Sequence, residues 1–150
     1  MISENDIVGI IYPLRQENYQ LINRIKEPVY VKFITHTNSK NPTKLKHNNY
    51  ILFYQSGKNK TIVGYSKIIS ISFKKATEIK NEYLSRIQMN ENDFCSYVKG
   101  RESKLLLFLE LDQIMTLEQP VELSFPITMA GQYITKNDLR TIINIETNDI

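Results

Sequence analysis

A chain of 150 residues with 41% apolar and 23% charged side chains is long enough to bury one core, and its nine tyrosines and six phenylalanines exclude a disordered chain. A single cysteine, Cys95, excludes an internal disulfide and a cysteine-type structural zinc site and fits a reducing compartment. The longest apolar runs, Ile7 to Tyr12 and Leu105 to Leu109, fall far short of the ~20 residues a membrane helix needs, so no membrane partner is expected.

The start, MISENDIVGII, lacks the basic opening of a secretory leader, and a cytoplasmic location is the expectation. Net charge is only +3, but residues 1–75 carry 12 basic and 4 acidic side chains while residues 76–150 carry 7 and 12. From Pro28 to Thr77 there is no Asp or Glu, although an even spread of the 16 acids would place about five there. The same window holds Lys32, Lys40, Lys44, Lys46, Lys58, Lys60, Lys67, Lys74 and Lys75. Like charges gathered in this way point to an anionic partner, with a merely solvated surface as the competing reading.

Residues 7–12, IVGIIY, predict a buried first strand stopped by Pro13. Leu14, Leu21, Ile22 and Ile25 share a helical face and predict a short amphipathic helix over 14–25. Pro28 opens a second strand, VYVKF, and the polar stretch 35–49 reads as an exposed loop. Residues 49–73 then form a long hairpin turning at Ser56-Gly57, with Tyr50, Leu52 and Tyr54 on one face of its first strand and Ile51 and Phe53 on the other. In its second strand Val63, Tyr65, Ile69, Ile71 and Phe73 alternate with Gly64, Ser66, Ser70 and Ser72. Lys67 breaks the apolar face and marks a bend or bulge of the kind that curls sheets.

A helix follows over 75–87 on Ile79, Tyr83, Leu84 and Ile87, and another from Asn90-x-x-Asp93 to Gly100. Strands are predicted over 103–114 and, between Pro120 and Pro126, over 121–125. The segment PITMAGQYIT reads as a glycine loop, and Thr135-x-x-Asp138 starts a last helix.

This order of elements resembles the small PUA-like barrels, a superfamily that includes PUA, ASCH and EVE domains. The segments IVGIIYP, VYVKF, ILFYQSG, IVGYSKI, YVKGRESK and PITMAGQYIT look like a mainly archaeal PUA-like family known as a domain of unknown function. The fold implied is one α+β domain over 1–150, a mixed β-barrel of about six strands with three to four peripheral helices. The function implied is binding of RNA, or capture of a modified nucleotide in a pocket beside the barrel, as PUA and EVE domains do. ASCH domains also carry a G-x-K-x-x-E-x-R signature, and here the loop SKNPTKLKHNNY supplies Lys44 without the Glu or Arg.

The candidate nucleic-acid contacts are Lys32, Lys44, Lys46 and Lys58 for phosphates, with Tyr54, Ser56 and Gly57 as an aromatic platform and polar turn. Arg101 and Lys104 follow the Gly100 helix stop, and Thr128, Gly131 and Gln132 precede a helix N-terminus. Each has a structural reading beside it: Tyr54 alternates as a core residue does, Glu102 stands ready to occupy Arg101, and Gly131 suits a plain turn. His36 and His47 have no acidic neighbour in sequence, and there is no phosphate loop, nucleophile elbow or metal-ligand spacing. The sequence therefore assigns no catalytic set, metal or cofactor and favours binding over catalysis. The alternatives are a small ASCH-like hydrolase of a modified nucleoside, requiring Lys32 or Lys44 desolvated beside Thr128 and a carboxylate, and a homodimer joined by the oppositely charged halves.

Overall fold

The computed structural model describes residues 6–34, 43–56 and 60–144. In them seven strands and four α-helices alternate as β1 (Ile7–Leu14), α1 (Gln16–Asn23), β2 (Val29–Phe33), β3 (Tyr50–Gln55), β4 (Thr61–Lys75), α2 (Ala76–Glu82), α3 (Glu91–Val98), β5 (Leu105–Leu111), β6 (Met115–Glu122), β7 (Gln132–Thr135) and α4 (Lys136–Ile143). The strands make one mixed α+β sheet ordered β2-β5-β4-β3-β1-β7, with β6 also paired to β4.

The 15-residue β4 organises this sheet. Its first half pairs with β3 and β6, and its second half with β5, which runs on into β6 across only residues 112–114. Register shifts at Ile62/Gly64 and Ile68/Ser70 bend the strand, since an extra residue in a ladder increases local twist. The expected alternation therefore fails in the middle of β4. Val63 and Ile68 face the interior, Tyr65 packs on the outer surface with Ile62, and Ile69 is exposed. The small residues do admit close neighbours: a Cβ at Gly64 would lie 2.9 Å from the Met115 carbonyl oxygen and closer still to the Tyr19 hydroxyl.

The bent sheet is apolar on both faces. Inside the curl lie Ile10, Tyr12, Tyr30, Ile51, Phe53, Ile68, Leu107 and Leu109. The outer surface of β2 and β5 is covered by α2 and α3 through Ile79, Phe94 and Val98, and that of β1, β3 and β7 by α4 through Leu139. Although three strands separate β1 from β2, the Tyr12 and Tyr30 rings stack 5.2 Å apart across the interior. The sheet is thus barrel-like.

Two boundaries differ from the sequence expectation for a proline reason. β1 runs through Pro13 to Leu14, because the proline's missing N–H falls where β7, paired only along Ile7–Ile11, has ended. β6 covers 115–122 rather than 121–125 and includes Pro120, which β6 tolerates as a solvent-facing edge strand. The helix over 75–87 breaks into α2 and a 3₁₀ turn at Leu84–Arg86. α1 is shorter than expected, and β7 replaces part of the expected glycine loop.

β2 ends the sheet, and its open edge is sealed by side chains. Val31 N–H donates to Gln88 Oε1 at 3.1 Å, and Gln88 Nε2 donates to the Val31 carbonyl at 2.7 Å. Phe33 N–H donates to the Tyr97 hydroxyl at 2.9 Å, and Val29 bridges Ile87. A single buried amide thus does the work of a strand. Replacing it strands two backbone groups, each costing about 1–3 kcal/mol when left unpaired in the interior. Gln88→Leu is expected to lower unfolding stability by about 2–4 kcal/mol with an unchanged urea m-value, measured by equilibrium denaturation.

Candidate nucleotide cleft

The parallel strands β1 and β3 both end beside α3 and β2, and a cleft of about 570 Å³ opens there. That volume falls within the range of small-ligand sites, about 300–1,000 Å³. Pro13, Leu14 and Arg15 line it from the end of β1, Ser56 from the end of β3, and Tyr30, Val31 and Lys32 from β2. Gln88, Met89, Asp93 and Tyr97 form the opposite wall, and Met129 stands at the rim.

Lys32 is the distinctive group. It is half-buried, its ammonium lies 5.3 Å from the centre of the Tyr12 ring, and burial lowers its pKa below the ordinary lysine value. No carboxylate pairs with it among the described residues. An ammonium held this way retains unsatisfied N–H donors in a poorly solvated place. Around it the phenols stay protonated: burial first, then the neighbouring tyrosines, raises the pKa values of Tyr12 and Tyr30, and burial raises that of Tyr97.

The turn at Thr128–Gly131 buttresses this cluster. Gly131 N–H donates to the Thr128 carbonyl, and Gly131 adopts φ +82°, where a Cβ would come within 2.7 Å of the Tyr12 ring. Glycine is therefore required at this position both for its backbone and for its lack of a side chain. The turn leaves Met129 69% exposed at the mouth of the cleft.

The other sequence candidates fall into distinct places. Ser56 joins Lys32 in the cleft. Lys44 lies over the Tyr133 ring at 5.9 Å, its backbone N–H bound by the Tyr133 hydroxyl, and Lys46 is exposed. Gly57 and Lys58 lie outside the described residues, as do Lys40 and His36. Tyr54 is only 4% exposed and packs with Tyr50, Leu52 and Ile62, which is the core reading of its alternation. Thr128 and Gln132 are exposed. Gln132 instead lines a second cleft of about 680 Å³ between the end of β6 and α4.

Arg101 is engaged within the fold. Its guanidinium carbon sits 4.0 Å from the Phe33 ring centre, and Nη2 donates to the Tyr97 carbonyl. Glu102 does not occupy it: that carboxylate accepts from the Gly100 N–H, and its own backbone N–H first, then that of Gly100, lowers its pKa. Arg101 thus ties α3 to β2 and holds Tyr97 in the cleft wall. Lys104 is exposed.

Among the described residues, the lysines of the acid-free window take separate partners. The hairpin of that window lies in the middle of the sheet rather than at an edge. Lys67 stacks over Tyr50, and Lys74 pairs with Glu78 at 3.2 Å while covering Tyr83 and Phe108. Four of these lysines rest on tyrosine faces, and among the described residues only Lys74 meets a carboxylate. Sequence reasoning missed Tyr12, Tyr30, Tyr97 and Met129. The recurrence of lysines and tyrosines in neighbouring strands was the available signal, but their partnership depends on the curl of the sheet.

The architecture is similar to that of an ASCH domain. ASCH from Zymomonas mobilis superimposes with a TM-score of 0.73 at 14% identity, covering 92% of this chain and 95% of that one. The N-terminal domain of Staphylothermus marinus McrB gives 0.50 at 13% identity, covering 95% and 85%. Identities this low bear on fold alone. No curated protein sequence matches. The chain belongs to the family described as domain of unknown function DUF365, which matches residues 7–136. Among the described residues no helix is long and apolar enough to cross a membrane, and no group of three or more His, Cys, Asp or Glu is placed to hold a metal.

The assignment of Arg101 to packing has a measurable consequence. Arg101→Ala is expected to destabilise the fold by about 1–2 kcal/mol through loss of its aromatic stacking. Lys104→Ala should stay within about 0.5 kcal/mol of the parent. Paired urea melts of the two variants test the contrast.

Proposed function

We propose that the protein binds RNA by taking one nucleotide into the cleft beside β2, with Lys32 as its inner polar contact. The observation that carries this reading is a half-buried ammonium with no acidic partner among the described residues, seated on a tyrosine face and lining a cleft of suitable volume. An ordinary structural lysine reaches water or a carboxylate. This one keeps donors facing a space that a ligand oxygen can enter. Arg15 at the rim and the exposed Lys46 and Lys60 supply cationic groups for the flanking backbone, a contribution that is independent of sequence and weakened by salt. The resemblance of the chain to PUA-like domains and the likeness of its fold to ASCH domains support the same reading.

The hydrolase alternative finds part of its requirement in Lys32. Thr128, however, is exposed with its carbonyl bound in a turn, and Asp93 in the cleft stands 4.0 Å from Arg15.

Short single-stranded RNA should bind with affinity that falls steeply as salt rises, and Lys32→Met should weaken binding about tenfold or more without unfolding the protein. Binding should also decline as pH rises through the Lys32 pKa, which burial places below the ordinary lysine value, because the ammonium is then lost. Fluorescence anisotropy across salt and pH checks both. Affinity unchanged in Lys32→Met would discard this role for the cleft.

A further inference from the structure

Resting on that nucleotide reading, we infer that the cleft discriminates by hydrogen-bonding sense, accepting bases that present a keto oxygen and rejecting those that present an amino group at the same ring position. Among the described residues that line the cleft, Lys32 is a donor-only group that no carboxylate pairs. Lys32 carries three N–H donors and no acceptor. Tyr30, two residues earlier on β2, lines the same space, and its hydroxyl has no hydrogen-bond partner among the described residues. Its ring is fixed by stacking on Tyr12 at 5.2 Å and by Phe53 at 6.2 Å, so the hydroxyl is held in one place. Burial keeps this phenol protonated, hence still able to donate.

The groups that could have balanced these donors are committed elsewhere. Gln88, the buried amide of the wall, has its oxygen on the Val31 N–H and its nitrogen on the Val31 carbonyl. The carboxylate of Asp93 stands at the rim, 42% exposed and beside Arg15. Asn18, Ser56 and Ser96 also line the cleft, but amides and hydroxyls both donate and accept, and so do not discriminate.

A keto oxygen entering here meets an ammonium and a phenol together. An amino group in its place turns a donor toward the Lys32 ammonium, which has no acceptor to offer, and can pair only with an oxygen such as the Tyr30 hydroxyl, so Lys32 is left unpaired in a half-buried place. Loss of a partner costs a buried polar site more than loss of a bond between solvated groups, which is why such sites discriminate strongly.

The test compares short homopolymeric RNA oligonucleotides of uridine against cytidine, and of inosine against adenosine, by calorimetry at one salt concentration. Within each pair the bases differ at the keto or amino carbon and in protonation of the adjacent ring nitrogen. The keto member of each pair is expected to bind about tenfold tighter, equivalent to about 1.4 kcal/mol. Lys32→Met should erase that difference, and so should Lys32→Gln, whose amide both donates and accepts. The glutamine variant keeps a polar side chain at this position and serves if the methionine variant fails to fold. Equal affinities within the pairs, an amino preference, or a keto preference that survives both substitutions overturns the inference and leaves nucleotide binding standing. Failure of all four oligonucleotides to bind overturns both.

Discussion

The stack of Tyr12 on Tyr30 is the contact on which the rest of the molecule turns. It joins strands that have three others between them in the sheet, an approach that the bend of β4 at its bulges allows. Once made, it fixes the positions of several other groups. Lys32 rests on the Tyr12 ring, Gly131 packs against that ring, and Phe53 tilts against Tyr30. The curvature of the fold and the floor of the cleft are therefore one piece of packing. Aromatic pairs of this kind contribute about 0.5–1.5 kcal/mol beyond the area they bury, modest beside the geometry they impose.

Much of the architecture was legible along the chain. Short-range rules placed the helix starts correctly: Asn90 accepts from the Asp93 N–H, and Thr135 with Asp138 forms a full capping box. Alternation sorted β3 correctly as well, with Ile51 and Phe53 inside and Tyr50, Leu52 and Tyr54 outside. The same rule failed only in the middle of β4, because each of two bulges shifts the period by one residue: Tyr65 and Ile69 leave the inner face that Val63, Ile71 and Phe73 share as expected. β6 was misplaced because Pro120 reads as a strand breaker unless it is known that the strand is an edge.

The candidate site was less legible, for a related reason. A shortage of carboxylates is visible in sequence, but the partner each lysine takes is not. Tyrosine faces, supplied from β1, β3, β7 and the turn after α2, take the place of the missing acids at Lys32, Lys44, Lys67 and Lys74. Such pairs leave the ammonium charge intact while fixing its position. Arg101 illustrates the opposite case. Its sequence context suggested a phosphate grip, yet its planar head is consumed by Phe33 and Tyr97, and it bears on the cleft only through the tyrosine it holds.

Gln88 joins two properties that proteins usually keep apart. The same amide that closes the rim of the sheet also forms part of the wall that a guest would touch, with Met89 beside it. Remodelling that wall for a new guest thus means reopening a row of main-chain groups. Descendants of this chain can diversify their ligands readily from the Met129 side, where nothing else depends on the side chain. From the Gln88 side, every change of taste is also a loss of heat tolerance.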